Sequence, residues 1–228
     1  MATKNTQTVE LLPIELETVS ITIVGTTPLI VHAWSEKAKR MMFDKQTGKA
    51  TKAKHEVKVP VNDFMNSLYW LTDKPEDGKT DEDAEHNFNA AIESGAKFGF
   101  PVSGIKQSAI VGAGRGGLDV KMTELRGAFF IKGATDASTM DVAEIVGAAP
   151  TMREDMVKVG GMSKTADIRY RGQFDEWEIP LLLTYNKNGK YSLEQLLNCF
   201  NVGGFVTGIG EWRPERDGQM GMYQLKVG

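Results

Sequence analysis

The residues of this chain whose types and spacing could do chemistry are its arginines and the glycines around them. Arg169 and Arg171 alternate with Ile168 and Tyr170, so an extended segment there puts both guanidinium groups on one face of a sheet and buries the other face. Trp212-Arg213-Pro214-Glu215-Arg216 lies in a glycine-rich turn, where side chains are expected to project freely. Arg115 belongs to an earlier glycine loop, Gly112-Ala-Gly114-Arg-Gly116-Gly117, and Lys106 stands on the helix leading into it. Lys37, Lys39 and Arg40 form a further basic group on the first helix. Cations track phosphates and a ring such as Trp212 stacks on bases, so this set suits a single-stranded nucleic acid held mainly by its backbone. The plainer reading of the same residues is a solvated face and ordinary turn residues.

Other chemistries are poorly supplied. His32, His55 and His86 are isolated, without an HxxxH or HxH spacing, so no metal and no catalytic residue is expected. His32, beside Trp34 at the end of an apolar strand, reads as a structural or surface histidine. The Gly112–Gly117 loop lacks a GKS/T ending and follows a helix instead of preceding one, which argues against a nucleotide cofactor. The single cysteine, Cys199, excludes an internal disulfide and reads as an inert core thiol.

The elements that must position these groups are those of an ordinary globular chain. It has 228 residues, 41% hydrophobic and 25% charged, and 27 Lys+Arg against 30 Asp+Glu give a net charge of −3. No overall cationic field advertises a nucleic-acid partner, though a local basic surface would suffice. No apolar run reaches the roughly 18–20 residues of a membrane span. The N-terminus shows no secretory h-region, so a cytoplasmic location is expected. The 24 glycines exceed the usual share of roughly 7% and cluster in a few places, which implies shaped loops.

A first strand is expected from Thr18, interrupted at Pro28 before Leu29-Ile30-Val31, with Ser35 capping a helix from Glu36. Lys45 to Lys58 is basic and reads as an exposed loop. Val61 to Leu71 is apolar at helical spacing, and the acidic stretch Asp73 to Glu85 reads as a second exposed loop. Ile105 to Val111 reads as a helix stopping at Gly112. Strands are expected at Leu125–Lys132, Glu144–Val146, Ala166–Phe174 and Trp177–Tyr185. Ser192 caps a helix ending near Asn201 and Gly203-Gly204, and Met220–Val227 is the last strand. Mixed strands and helices with short links imply an α+β sheet with helices packed on one face.

Three segments in order carry a resemblance. TVSITIVGTTPLIVHAW at residues 18–34 resembles the first strand of the RAMP superfamily, which ends in a "TPLxI" run. FPVSGIKQSAIVGAG at residues 100–114 resembles its turn-then-helix element, with Val102-Ser103-Gly104-Ile105-Lys106 in place of a fuller glycine-serine pair. Residues 192–225 resemble its closing helix and glycine-rich loop. The resemblance implies a relative of the backbone subunits of CRISPR effector complexes. It implies one domain over residues 1–228 with a ferredoxin-like or RNA-recognition-like antiparallel sheet, and an inserted thumb-like charged loop at 44–86. It also implies copies polymerising head to tail along a single strand, which the basic-then-acidic insert would favour. Met152 to Trp177 is similar to a stretch of small phage and prophage proteins, which implies a phage-encoded chain.

The function expected first is therefore a non-enzymatic, oligomer-forming protein binding single-stranded DNA or RNA. Its contacts would be Lys37, Lys39, Arg40, Lys106, Arg115, Arg169, Arg171, Trp212, Arg213 and Arg216, with no cofactor, no metal and no membrane. An interaction protein docking on a host defence complex or a virion is the alternative, favoured by the net charge and by the acidic stretch. A RAMP-type endoribonuclease is the third, with His32 or Asp44 as its candidates; a general base needs a positioned partner, and neither has one in the sequence.

Overall fold

The computed structural model describes residues 13–34, 36–49, 58–159 and 165–226. The elements are β1 (Leu16–Gly25), β2 (Leu29–Val31), α1 (Glu36–Gln46), α2 (Pro60–Ser67), β3 (Tyr69–Trp70), α3 (Asp81–Glu93), β4 (Phe98–Pro101) and α4 (Val102–Arg115). There follow α5 (Met122–Ala128), β5 (Phe129–Gly133), β6 (Val142–Gly147), β7 (Thr151–Val159), β8 (Thr165–Phe174), β9 (Trp177–Asn186), α6 (Leu193–Val206) and β10 (Tyr223–Leu225).

Pro28 lacks an amide donor, and the first strand breaks around it as expected. β1 alternates Val19, Ile21 and Ile23 toward the interior with Thr18, Ser20 and Thr22 outward. It lies between β9 and β10, antiparallel to both, and β9 takes β5 on its far side, again antiparallel. Strands β1, β5, β9 and β10, with α4 before β5 and α6 before β10, form a strand-helix-strand-strand-helix-strand unit. Its spatial order is β10-β1-β9-β5, the ferredoxin-like arrangement, and the pairing is antiparallel throughout. The sheet is extended past β9 by β6, β4 and β3. A separate three-stranded sheet, β2-β8-β7, joins β2 to the β7–β8 hairpin inserted between β6 and β9.

The core lies between this sheet and helices α4 and α6. Ile23, Ile179, Leu181, Leu183, Phe129, Ile105, Ala109, Leu196 and Phe200 are all buried there. The two helices cross closely: a Cβ on Gly112 would fall 2.3 Å from the Gly203 Cα. This approach explains two differences from the sequence expectation. α4 runs through Gly112 to Arg115 and α6 runs through Gly203-Gly204 to Val206, because at these positions glycine serves a close helix approach and not a stop. The Gly112–Gly117 segment is accordingly helical over much of its length.

The acidic stretch differs from expectation only in its second part: residues 73–80 carry no regular element and are mostly exposed, but α3 begins at Asp81. Thr80 caps α3 by accepting from the Asp83 amide at 3.2 Å, and Asp81, Glu82 and Asp83 lie in the first turn, where carboxylates suit the helix dipole. Ala84 and Phe88 are buried, and Phe88 meets Phe64 of α2 edge-on at 5.0 Å. The 44–86 stretch thus carries the end of α1, then α2, β3 and the first turns of α3, and its described residues are mostly in regular elements. Residues 50–57 and the expected cap Ser35 lie outside the described residues. Residues 125–128, expected as strand, are helical in α5, and pairing with β9 begins only at Phe129. Strands β4 and β7 and helix α3 have no counterpart in the sequence expectation. Cys199 is buried; its Sγ donates to the Gln195 carbonyl, and burial pushes its thiol up to about 11. Among the described residues no helix is long and apolar enough to cross a membrane.

Candidate nucleic-acid interface

β7 and β8 form a hairpin whose register sets Arg153 opposite Arg171, Asp155 opposite Arg169, and Val157 opposite Asp167. Residues directly opposite share a face, so both expected guanidinium groups do stand on one face, with Arg153 added to them. Like charges placed opposite repel, and Asp155 answers this. Its Oδ1 accepts from Arg153 Nε at 2.9 Å, and its Oδ2 accepts from Arg171 Nη1 at 3.1 Å and from the Trp212 indole at 3.2 Å. Burial works against the Asp155 charge, but these donors outweigh it and hold the carboxyl below its ordinary value. The opposite face of the hairpin is not wholly buried: Met156 is 78% exposed and its cross-strand partner Ile168 37%. Nearer the base, Gly172 lets Leu68 approach, since a Cβ there would sit 2.2 Å from the Leu68 side chain.

The glycine-rich loop after α6 closes over this face. Gly210 has φ +78, and a Cβ there would fall 2.3 Å from the Ile30 carbonyl oxygen, so only glycine fits between the loop and β2. The Glu211 amide donates to that same carbonyl at 2.9 Å. Trp212 then takes a left-handed φ of 53, a strained conformation for a bulky residue. Arg213 is tied down: Nη1 donates to the Gly210 carbonyl at 2.8 Å, and Nε and Nη2 donate to Glu215 Oε2 at 3.1 and 2.8 Å. Arg115 Nη1 reaches the other oxygen of Glu215 at 3.2 Å. Burial opposes the Glu215 charge too, and Arg213 more than offsets it, leaving the carboxyl below its ordinary value.

Val157, Arg171, Glu211, Trp212, Arg213 and Arg216 line an open cleft between hairpin and loop. Across the Glu211–Arg213 segment lies a narrower cavity of about 180 Å³, whose walls include His32, Tyr69, Gln107 and Glu215. Burial, followed by the nearby Arg171 charge, lowers the His32 pKa, so its imidazole is neutral at pH 7.

Of the expected residues the structure brings Arg171, Trp212, Arg213 and Arg216 to one cleft; Arg115 is bonded to Glu215, which Arg213 also holds, and Arg169 lies two residues along the hairpin strand from Arg171. Arg171 is only 6% exposed and is ion-paired with Asp155, with Glu211 at 3.7 Å. Arg213 and Trp212 do not project freely, because Glu215 and Asp155 hold them. Arg169 sits 3.0 Å from Asp167 Oδ2. Arg216 is exposed; its amide donates to the Arg213 carbonyl at 2.8 Å, and its side chain makes no hydrogen bond to the described residues. The Arg171 Nε is buried and unpartnered. Lys106 stands elsewhere, its Nζ donating to the Arg126 carbonyl at 2.8 Å. Lys39 and Arg40 lie exposed on α1, and the side chain of Lys37 is outside the described residues. Asp44 is on the same helix, exposed or half-exposed along its whole described length.

The residues that sequence reasoning missed are Arg153, Asp155, Glu211 and Glu215. A polar-aromatic turn marks the last two, but nothing local says which cation each will meet. Among the described residues no group of His, Cys, Asp or Glu could hold a metal ion.

No protein-family model matches the chain. No curated protein matches it either. Among solved structures the chain is similar to Cmr6 from Pyrococcus furiosus, at 10% identity and a TM-score of 0.34, over 94% of this chain and 100% of that one. The ferredoxin-like assignment rests on the strand order and antiparallel pairing, independently of that likeness.

Proposed function

We propose that this chain is a non-enzymatic protein that binds single-stranded nucleic acid mainly by its phosphates and assembles in several copies along the strand. The observation that carries the reading is the cleft between the β7–β8 hairpin and the glycine-rich loop. It combines the exposed Arg216, the half-exposed Arg213, a buried Arg171 Nε without a partner and the 41%-exposed Trp212. Arginines supply planar donors for phosphate oxygens, and the indole offers a ring face to a base. The resemblance of Met152–Trp177 to phage and prophage proteins supports a phage-encoded chain acting in the bacterial cytoplasm.

The test is size-exclusion chromatography and fluorescence anisotropy with labelled poly-dT and poly-U oligonucleotides in low and high salt. The expected result is a larger species with the strand that dissociates as salt rises. A protein that takes up neither oligonucleotide in low salt overturns the reading.

A second reading, docking on another protein assembly, is favoured by the exposed Glu76, Glu82, Asp83 and Glu85 around the start of α3. A pull-down that recovers a protein partner and no nucleic acid would select it.

A further inference from the structure

The main sheet has helices α4 and α6 on one face and a second face that carries a different chemistry. On that second face Thr18 lies opposite Thr184, Ser20 opposite Leu182, and on the other side of β9 Phe130 lies opposite Thr184 and Lys132 opposite Leu182. The alternation that buries Phe129 and Ile131 turns Phe130 and Lys132 outward. Phe130 is 63% exposed. Lys106 reaches it from the edge of β5, with its Nζ 4.6 Å from the ring centre and bonded to the Arg126 carbonyl.

Charge separates this place from the cleft. There, Asp155, Glu211 and Glu215 neutralise much of the arginine charge. Around Phe130, neither Lys106 nor Lys132 has an acidic partner among the described residues. Neighbours on the sheet are Thr18, Ser20 and Thr184, hydroxyl-bearing residues that can accept or donate, together with the half-buried Leu182. One exposed ring among hydroxyls and unneutralised cations is too polar for the core of a protein interface, which is depleted of charge. It has the composition of a stacking platform for a base flanked by phosphates.

We infer that the sheet face around Phe130 is a second contact for the single strand, with a base stacked on the Phe130 ring and the flanking phosphates taken by Lys132 and Lys106. This rests on the nucleic-acid reading above and assigns that function a surface outside the cleft. Phe130 contributes nothing to the buried core, so its removal is expected to leave the thermal melting point unchanged.

The experiment measures anisotropy of labelled poly-dT and poly-U with wild type, Phe130→Ala, Phe130→Trp and Arg216→Glu. It adds photo-cross-linking to a 5-iodouracil oligonucleotide and mass-spectrometric mapping of the adduct. Phe130→Ala is expected to weaken binding about tenfold to a hundredfold at unchanged melting, and Phe130→Trp to retain it. The adduct is expected in the peptide carrying Phe130. If Phe130→Ala binds like wild type while Arg216→Glu binds weakly, the platform is overturned and the cleft reading stands. If wild type binds neither oligonucleotide, both fall together.

Discussion

The Trp212 indole donates to the buried carboxylate of Asp155 at 3.2 Å, joining the glycine-rich loop to a hairpin strand 57 residues earlier in the chain. The same carboxylate holds Arg153 and Arg171 opposite each other across the β7–β8 ladder. One anion therefore fixes both walls of the cleft.

Removing it should be costly. Asp155→Ala leaves the nearly buried Arg171 facing Arg153 without a counter-charge and is expected to destabilise the fold by about 3–5 kcal/mol. Trp212→Phe keeps a ring but loses the donor, at about 1 kcal/mol. Urea denaturation of the variants checks both, and equal midpoints for wild type and Asp155→Ala would contradict the assignment.

The same group predicts a pH dependence. The folded-state pKa of Asp155 lies below its ordinary value of 3.8, so its contribution is fully present above that value. It is lost as pH falls through the lower folded value. Wild type should thus lose more stability than Asp155→Asn between pH 7 and pH 3, read as the difference in thermal melting points.

Arg216 is the cation in the cleft freest to meet a phosphate. Arg216→Glu is expected to weaken oligonucleotide binding in low salt with little effect on melting. It should also reduce the slope of log affinity against log salt by about 0.7 for each single-strand phosphate that is no longer neutralised. Titrations at several salt concentrations give that slope directly, and an unchanged slope would remove Arg216 from the interface.

Gly210 combines a left-handed φ of +78 with a hypothetical Cβ 2.3 Å from the Ile30 carbonyl. Gly210→Ala is expected to displace the loop, lower the melting point and weaken oligonucleotide binding together. Gly117, also left-handed but with open space around its Cβ position, should tolerate alanine far better. Parallel melting curves of the two variants make the comparison.

His32 is neutral and lines the cavity beside Tyr69. A protein that binds without cutting should leave a labelled RNA intact over hours at pH 7 without added metal. Cleavage that disappears in His32→Ala would replace the binding reading with the endoribonuclease one.

Local pattern carried much of the fold. The alternation of Val19, Ile21 and Ile23, the Pro28 break and the Ile179-Leu181-Leu183 stripe all became strands, because one buried face imposes a period of two. Ser192 caps α6 in a full capping box with Gln195, a signal contained within four residues. β7 is hard to see in the sequence because Met152, Glu154 and Met156 give its outer face no clean polarity, and its inner face is charged. α3 is hidden by its acidic first turn, which reads as loop until Ala84 and Phe88 find their core neighbours.

The sequence by itself determined that the chain is α+β, which segments alternate, and that arginines and a tryptophan stand in glycine-framed places. Tertiary structure alone decided what those arginines face. Arg115 and Glu215 are 100 residues apart in the chain, Asp155 and Trp212 57, and Arg171 and Asp155 16. No local propensity encodes such encounters, because a charge interacts with whatever the packed backbone brings within a few ångströms. For the same reason Lys106 stands apart from the arginine cluster and rests over Phe130: the crossing of α4 with α6 at Gly112 and Gly203 sets how α4 is seated on the sheet.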